Sequence, residues 1–259
     1  MPRLTKLSRS IAGRGALVTG AASGMGRATA HLFADEGAQV AVTDLDDDAV
    51  ARVVDEITSA GGSARGWVLD VGSDADVARV VPEIAAVFGR LDLVVNNAGI
   101  ARFSPVDGAD YLSHWEASLN VLLTAHVRVI RAALPFLRKS DAARIVNIAS
   151  TEALGATRFG SPYTAAKHGV VGLTRSLAVE LGPERITVNC ICPGPIRTGM
   201  TAAIPEEQKT AFAKRRTALL RYADPEEVAH GTLNFCLPAS QYITGAVLPV
   251  DGGLTIRNA

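Results

Sequence analysis

Short apolar runs alternate with longer amphipathic segments along the whole chain. The short runs have the length and composition of buried strands, whereas the longer segments place apolar residues at helical spacing. This alternation is typical of parallel strands joined by crossover helices. Strands are predicted at residues 16–19, 39–44, 66–70, 91–96, 144–148, 187–192 and 246–250. Helices are predicted at residues 24–35, 49–60, 74–88, 112–138, 163–181 and 225–236.

The predicted strands are apolar nearly throughout, so helices are expected on both faces of the sheet. No linker, low-complexity tract or internal repeat divides the 259 residues. The sequence therefore predicts a single-domain α/β fold with a doubly wound, seven-stranded parallel sheet. The domain is expected over residues 13–259, after an N-terminal tail at residues 1–12.

One long connection, residues 194–222, separates the sixth predicted strand from the last predicted helix. It opens with Pro-Gly-Pro, and a short helix is expected after Pro205. Long connections in compact domains are often functional, which favours a mobile lid. An ordinary surface excursion explains this segment equally well.

The charge balance argues against some classes of partner. Lysine plus arginine and aspartate plus glutamate each number 26, so no net charge would steer the protein to nucleic acid or to a membrane surface. The first ten residues lack the apolar segment of a secretory signal, and a cytoplasmic location is expected. Residues 231–250 are uncharged, but Pro238 and Gly245 interrupt them, so a helix end, a loop and a strand are expected there rather than a membrane span.

The three cysteines are expected to be reduced, because their number is odd and no export signal is recognised. Cys190 and Cys192 are too close in sequence for a zinc site, and no second pair follows them. Apolar neighbours favour small core residues for both, and no metal site is predicted.

A glycine-rich turn follows the first predicted strand and opens the first predicted helix. Glycines permit a tight turn and a close approach of the backbone to a pyrophosphate, which the helix N-terminus then faces. Glycine is also the default residue of any tight turn, but the position between a strand and a helix favours a dinucleotide site. The residues predicted to contact the cofactor here are Gly20, Ser23, Gly24, Met25 and Gly26.

Asp44 ends the second predicted strand about 20 residues after the glycines, where a carboxylate accepts hydrogen bonds from the adenosine ribose. The 2′-phosphate of NADP would be repelled by this charge, and residues 45–48 (Leu-Asp-Asp-Asp) bring no cation. NAD is therefore the predicted cofactor. Alternatively, Asp44 only caps the following helix, a role that Asp46 can also fill.

Polar residues also follow the third and fourth predicted strands. These are Asp70 and residues 96–99, which read Asn-Asn-Ala-Gly. Ligands of open α/β sheets bind at the carboxyl ends of the strands. Each segment is also a common turn signal, but the shared sheet edge favours binding.

Tyr163 and Lys167 are one helical turn apart, so their side chains share one face of the predicted helix. A tyrosine has an ordinary pKa of about 10 and is a poor base at neutral pH, but a neighbouring ammonium lowers that pKa. Tyr163 can then remove a proton from an alcohol as a hydride leaves the carbon. By itself, the pair is better explained as a contact on a helix surface. Ser150, at the end of the fifth strand, and Asn120 favour the catalytic interpretation.

Several motifs occur in order, and over about residues 15–253 the chain resembles the short-chain dehydrogenase/reductase family. The motifs are TGxxxGxG at 19–26, NNAG at 96–99, Asn120, Ser150 thirteen residues before Tyr163, Lys167, and PGPIRT at 193–198. The resemblance implies a Rossmann-type fold, hydride transfer with a nicotinamide cofactor, and a homotetramer.

The resemblance also implies a role for each matching residue. Tyr163 is the expected acid/base, and Lys167 is expected to lower its pKa and hold the nicotinamide ribose. Ser150 is expected to orient the substrate oxygen, and Asn120 to interrupt its helix locally and hold a water that links Lys167 to bulk solvent. The expected cofactor contacts are Tyr163, Lys167, Asp44, Leu45, Asp70, Val71, Asn97, Ala98, Gly99, Pro193, Ile196 and Thr198.

Departures from the family pattern are small. Met25 replaces a common isoleucine, and Ala149 stands where a serine is frequent. The arginine that many NADP-using relatives carry in the glycine turn is absent, since Ala22 and Ser23 occupy that part of it. The last difference supports NAD.

The expected function is a hydride transfer between NAD(H) and a secondary alcohol or ketone. Two alternatives remain, a 3-oxoacyl-thioester reductase of the acyl-carrier type and a non-catalytic NAD-binding regulator. The mostly apolar candidate pocket suits a hydrophobic or cyclic substrate, although some of its members could simply be buried in a lid helix or solvated. Its residues are Arg102, Phe103, Glu152, Leu154, Phe159, Pro195, Met200, Ile204 and Phe212.

Overall fold

The computed structural model describes residues 5–258, and a seven-stranded parallel sheet forms its centre. The strands are β1 (Gly15–Thr19), β2 (Gln39–Asp44), β3 (Ser63–Val68), β4 (Leu93–Asn96), β5 (Arg144–Ile148), β6 (Thr187–Pro193) and β7 (Val247–Val250). The helices are α1 (Gly24–Asp35), α2 (Asp47–Ser59), α3 (Asp74–Phe88), α4 (Tyr111–Leu119), α5 (Ala125–Leu137), α6 (Ser161–Leu181), α7 (Glu206–Arg216) and α8 (Pro225–Cys236). The predicted doubly wound α/β fold is confirmed.

The strand order is β3-β2-β1-β4-β5-β6-β7. The chain runs outward from β1 to β3, crosses back to β4, and then runs outward in the other direction. Strands β1, β4, β5 and β6 are buried along their whole length, as expected for a sheet that is covered on both faces. The order reverses between β1 and β4, so a crevice is expected beside their carboxyl ends.

The third strand differs from its prediction. β3 begins at Ser63 rather than residue 66 and pairs with the whole of β2, whereas Leu69 and Asp70 lie beyond its end. An edge strand contacts only one neighbour, so polar residues such as Ser63 and Arg65 are tolerated there. A prediction based on apolar residues therefore placed the start of this strand three residues too late.

The predicted helix over residues 112–138 is interrupted. Between α4 and α5, Asn120–Thr124 form a π-helical turn in which the Ala125 N–H donates to the Asn120 carbonyl.

The helical stretch Tyr111–Leu137, which includes this turn, is long and apolar enough to cross a membrane, by length and composition only, with a mean hydropathy of 1.2 over its most apolar window. One third of that window is buried within this chain.

The connection after β6 contains the expected short helix, α7, which begins at Glu206. Its two ends meet, because the Ala223 N–H donates to the Pro195 carbonyl at 3.0 Å and the Arg197 N–H donates to the Ala223 carbonyl at 2.9 Å. Residues 198–222 therefore leave the fold and return to it at one base, and they are called the projecting segment below.

The predicted N-terminal tail, residues 1–12, lies partly outside the described residues. Its last part belongs to the fold, because Ile11 is fully buried and the Ser8 carbonyl accepts a hydrogen bond from the Ala239 N–H. The cysteines Cys190, Cys192 and Cys236 are free and buried, as predicted.

His126 on α5 is a buried imidazole in this core. Its exposed fraction is 2%, and its Nε2 has no hydrogen-bond partner among residues 5–258. Burial, and secondarily the positive charge of Lys167, lowers the pKa of His126 from 6.5 to about 3. The imidazole is therefore neutral in the native protein at pH values where the unfolded chain takes up a proton.

This difference predicts an acid-dependent loss of stability. As the pH falls from 6.5 towards 3, the unfolded chain gains a proton at residue 126 and the native chain does not. His126→Phe should reduce the slope of unfolding free energy against pH in this window by about 1.4 kcal/mol per pH unit. Urea unfolding at several pH values measures this slope, with His168→Gln as the exposed control. An unchanged slope in His126→Phe would contradict the prediction.

Candidate functional site

The glycine-rich turn between β1 and α1 is built for a close approach of backbone atoms. Gly20 and Gly24 have positive φ angles of 64° and 53°, which favour glycine. A Cβ atom at Gly26 would overlap the Gly20 carbonyl oxygen and lie 2.5 Å from Asn97 Nδ2. Any larger residue at position 26 would therefore force the turn apart.

The end of β4 holds this turn in place. Asn97 Nδ2 donates to the carbonyl oxygens of Thr19 and Gly20 at 2.9 and 3.0 Å. The backbone N–H groups of Asn97 and Ala98 both donate to Thr19 Oγ1 at 3.0 Å. Asn97 thus has a structural role that its sequence position did not reveal, and Gly99 follows at the same edge.

The N-terminus of α1 is suited to an anion. Ser23 is the N-cap residue, but its side chain makes no capping hydrogen bond, and the first turn of α1 contains no acidic residue. The first N–H groups of a helix lack partners within the helix and carry partial positive charge. Together with the glycine cradle, they fit the pyrophosphate of a dinucleotide.

Asp44 stands beside this cradle at the end of β2. Its Oδ2 accepts from the Ala22 N–H at 3.0 Å, and its Oδ1 accepts from the Leu45 N–H at 2.8 Å. Asp46, not Asp44, caps α2, because its carboxylate accepts from the Ala49 N–H. Each Asp44 oxygen keeps a lone pair, so the carboxylate can still accept hydrogen bonds from ribose hydroxyls.

The residues after β3 form the next part of this edge. Val71 is buried, and Asp70 Oδ1 accepts from the Gly72 N–H at 2.7 Å. A Cβ atom at Gly72 would lie 2.9 Å from Asn120 Nδ2, so this loop packs directly against the π-helical turn.

The segment after β6 reaches the same turn from the other side. Pro193 ends β6, Ile196 is buried, and Thr198 Cγ2 would lie 3.2 Å from a Cβ atom at Gly24. Thr201 Oγ1 accepts from the Thr198 N–H and donates to the Ile196 carbonyl. The predicted cofactor residues from β1, β2, β3, β4 and β6 therefore lie along one edge of the sheet.

Lys167 and Tyr163 lie on α6 with their side chains close together. Lys167 Nζ is 5.6 Å from the centre of the Tyr163 ring and donates to the Ile148 carbonyl at 2.8 Å. The exposed fraction of Lys167 is 3%, and burial lowers its pKa to about 8. The lysine is thus anchored to the end of β5.

The pKa of Tyr163 is shifted in the direction opposite to the prediction. Burial raises this pKa above its ordinary value of 10.0, and the nearby negative charge of Glu152 raises it further. A hydrogen bond from Ser150 acts in the opposite direction but is outweighed. The expectation that Lys167 lowers the pKa is therefore not met by the protein groups alone, because desolvation of the phenolate dominates.

Glu152 is a site residue whose electrostatic role the sequence did not reveal. Its carboxylate accepts from Thr157 Oγ1 at 2.6 Å and from Thr164 Oγ1 at 2.8 Å. These bonds fix the carboxylate between the end of β5 and the first turn of α6. Two threonines spaced 5 and 12 residues from a glutamate are no recognisable sequence signal.

Asn120 occupies the first position of the π-helical turn, which agrees with the expected local interruption. Its Nδ2 donates to the Gly72 carbonyl at 3.4 Å, and its Oδ1 accepts from Arg128 Nη1 at 2.8 Å. Within the described chain, no hydrogen bond joins Asn120 to Lys167. The structure thus brings Ser150, Tyr163 and Lys167 together, while Asn120 faces the loop after β3.

One aromatic side chain packs against Tyr163. The Phe103 ring stacks on the Tyr163 ring with 6.2 Å between their centres, and the Ser104 N–H donates to the Phe159 carbonyl at 2.9 Å. Phe159 has a positive φ of 66°, an unusual conformation that often marks functional loops. Phe212, in contrast, packs on Tyr222 inside the projecting segment. Exposed apolar candidates are Phe103, Leu154, Phe159, Met200 and Ile204.

Comparisons with known proteins agree with this geometry. Residues 20–255 match the family model described as enoyl-(acyl carrier protein) reductase. The chain is 39% identical to a (2S)-[(R)-hydroxy(phenyl)methyl]succinyl-CoA dehydrogenase subunit of Thauera aromatica, over 95% of this chain and 98% of that one. It is 37% identical to a 3-oxoacyl-[acyl-carrier-protein] reductase of Thermotoga maritima, over 94% and 98% of the two chains.

The chain is also 39% identical to a 3-alpha-(or 20-beta)-hydroxysteroid dehydrogenase of Mycobacterium bovis, over 95% of this chain and 91% of that one. Among solved structures, a dehydrogenase/reductase from Sinorhizobium meliloti superposes with a TM-score of 0.90 at 34% identity, over 97% and 98% of the two chains. The family uses nicotinamide cofactors for oxidation and reduction. The chain therefore belongs to the short-chain dehydrogenase/reductase family of oxidoreductases.

Proposed function

We propose that this protein transfers a hydride between NAD(H) and a secondary alcohol or ketone, with Tyr163 as the acid/base. The observation that carries the proposal is the meeting of Ser150, Tyr163 and Lys167 at the sheet edge that also holds the glycine cradle and Asp44. No further ionisable group is needed for the proton transfer.

The residues of the site divide the reaction between them. When bound, the nicotinamide supplies or accepts the hydride. The Ser150 hydroxyl orients the substrate oxygen, and Tyr163 donates a proton to that oxygen in reduction or removes one in oxidation. Because burial keeps the pKa of Tyr163 high, the phenol is protonated at neutral pH, which favours its action as an acid in ketone reduction. Lys167 supplies a buried charge that would stabilise the phenolate.

We propose NAD rather than NADP, since the Asp44 carboxylate would repel a 2′-phosphate. Hydrogen bonds from the backbone N–H groups of Ala22 and Leu45 hold this carboxylate beside the glycine cradle. The proposed cofactor contacts are those predicted from the sequence, with Asn97 acting by holding the turn.

The proposed substrate is apolar. Phe103 stacks on Tyr163, and the Phe159 carbonyl accepts from the N–H of the neighbouring Ser104. Their exposed fractions are 51% and 45%, and both rings would lose water contact if such a substrate packed on them. A 3-oxoacyl thioester is the second candidate, because relatives at 37–39% identity are named for acyl-carrier and CoA substrates.

The projecting segment after β6 is proposed to act as the lid over this pocket, with its base at Pro195, Arg197 and Ala223. Cavities of about 560 and 910 Å³ border its base, one beside β7 and one beside α1. We also propose a cytoplasmic, soluble homotetramer, in which copies of the chain cover the apolar surface of Tyr111–Leu137 that one chain leaves unburied.

Removal of the Tyr163 hydroxyl tests the catalytic assignment. In Tyr163→Phe, kcat should fall by about 10²- to 10⁴-fold, because the acid/base is lost while the ring remains. NADH binding, measured by fluorescence, should stay as in the wild type. Tyr111→Phe is the matched control, since the Tyr111 hydroxyl contacts Ser161 on the surface at 3.0 Å. Assays with steroids, cyclic ketones, hydroxy acids and acyl thioesters supply the substrate. Wild-type turnover in Tyr163→Phe would overturn the assignment.

Removal of the Glu152 charge tests the electrostatics of the site. In Glu152→Gln the pKa of Tyr163 should fall, because a negative charge no longer opposes phenolate formation. Alcohol oxidation, which needs the phenolate, should then reach half its maximal rate at a lower pH. Glu83→Gln, an acid on the α3 surface that pairs with Arg79, is the control. A profile that does not move would show that the charge of Glu152 does not act on Tyr163.

Asp44 tests the cofactor proposal. The wild type should prefer NADH, and Asp44→Ala combined with Leu45→Arg should lower the ratio of kcat/KM for NADH to that for NADPH by more than about tenfold. The reason is that a repelling carboxylate is exchanged for a cation. Asp47→Ala, at the exposed first turn of α2, should leave the ratio unchanged. A wild-type preference for NADPH would refute the argument.

A further inference from the structure

Arg128 on α5 reaches back along the helix to the π-helical turn. Its Nη1 donates to Asn120 Oδ1 at 2.8 Å and to the Asn120 carbonyl oxygen at 3.3 Å. Its Nε forms an ion pair with Asp74, the first residue of α3. The exposed fraction of the Arg128 side chain is 18%, against 82% for Asp74, so the guanidinium is largely enclosed while its acidic partner remains in solvent.

These contacts use up the acceptor capacity of the Asn120 backbone. The carbonyl oxygen accepts both from the Ala125 N–H of the π-helical turn and from Arg128. A carbonyl oxygen has two lone pairs, so both are engaged, and a water that Asn120 holds must bind its side-chain amide instead.

The same contacts determine which way the Asn120 amide faces. Oδ1 lies against a guanidinium, which only donates, and Nδ2 lies against the Gly72 carbonyl, which only accepts. If the amide were rotated by 180°, its Nδ2 would face the Arg128 guanidinium, so that two donors met, and its Oδ1 would face the Gly72 carbonyl, so that two acceptors met. One N–H and one Oδ1 lone pair remain available.

The contacts also join the site to the loop after β3. Asp70 accepts from the Gly72 N–H, Gly72 accepts from Asn120, and Asn120 accepts from Arg128, which pairs with Asp74. A Cβ atom at Gly72 would lie 2.9 Å from Asn120 Nδ2 and 3.0 Å from Asp70 Oδ1, so a side chain there would displace one of these two groups. Hydrogen bonds therefore lead without a break from a predicted adenine contact to a predicted catalytic residue.

We propose that Arg128 is a positioning residue of the oxidoreductase site, which acts through Asn120 by holding the π-helical turn and orienting its amide. The inference rests on the proposed function for its kinetic consequence, whereas its structural consequence can be measured without turnover. π-Helical turns inside α-helices are frequent at functional sites, and an arginine fork is suited to hold two acceptors at once.

The structural arm of the test is hydrogen exchange of residues 118–125 in the chain without substrate. In Arg128→Ala this segment should exchange about tenfold faster than in the wild type, because the bonds that hold the turn are lost. Arg128→Lys, which keeps the charge but not the planar fork, should give an intermediate rate. Arg79→Ala is the matched control, since the ion pairs that Arg79 forms within residues 5–258 are exposed and join it to Asp76 and Glu83 on its own helix.

The kinetic arm is a double-mutant cycle. Arg128→Ala should lower kcat about tenfold with little change in the KM of the substrate, because a proton-transfer group is misplaced while the pocket is intact. In an Asn120→Ala background the same substitution should change kcat by less than about twofold, since there is no amide left to orient. Thermal unfolding of each variant shows whether the chain is folded, and Arg128→Lys replaces Arg128→Ala in the cycle if the latter is not.

Unchanged exchange over residues 118–125 would overturn the proposal, and so would additive effects of the two substitutions on kcat. A wild type with no turnover on any secondary alcohol or ketone would refute the proposed function alone. Hydrogen exchange would still decide whether Arg128 holds the turn.

Discussion

The lock between β4 and the glycine-rich turn is the contact on which the rest of the site depends. Asn97 satisfies two carbonyl oxygens of the turn, and Thr19 Oγ1 accepts two N–H groups from the end of β4. Buried backbone groups must find partners, and here strands that are far apart in sequence supply them to each other. The lock leaves the N-terminus of α1 open to an anion, and the absence of a Cβ atom at Gly26 makes the close approach possible.

Burial at the site beyond this lock disfavours the charged forms of Lys167 and Tyr163. Lys167 is buried and donates a hydrogen bond to the end of β5, and its pKa is lowered to about 8 because charge is poorly solvated there. Tyr163 is affected in the opposite sense, since burial opposes its ionised form and raises its pKa. Each group is thus biased towards its neutral form. A positive charge close to a phenol favours the loss of its proton. Lys167 Nζ, 5.6 Å from the centre of the Tyr163 ring, is placed to supply such a charge.

The relatives are named for different substrates, although they share this fold. Proteins named for a hydroxy(phenyl)methylsuccinyl-CoA, a 3-oxoacyl-[acyl-carrier-protein] and a hydroxysteroid all resemble this chain at 37–39% identity over more than nine-tenths of its length. The shared fold and site residues therefore do not specify the substrate. Function on a shared fold is decided by local sites.

The sequence by itself determined the parallel sheet, the glycine cradle and the placing of Asp44, Ser150, Tyr163 and Lys167, because each depends on local periodicity or on a strand end. It also anticipated the free buried cysteines and the helix α7. It failed where the physics is non-local: β3 starts earlier because an edge strand tolerates polar residues. For Phe212 the sequence left a pocket position and a lid-helix position open, and in the structure its ring packs on Tyr222.

Only the tertiary structure decided the electrostatics and the polar contacts of the site. The raised pKa of Tyr163 arises from its burial and from Glu152, which two threonines hold in place. The orientation of Asn120 depends on Arg128, eight residues away on an interrupted helix, and on a loop 48 residues earlier in the chain. A sequence records which groups are present, but desolvation and hydrogen-bond geometry exist only once distant segments have packed together.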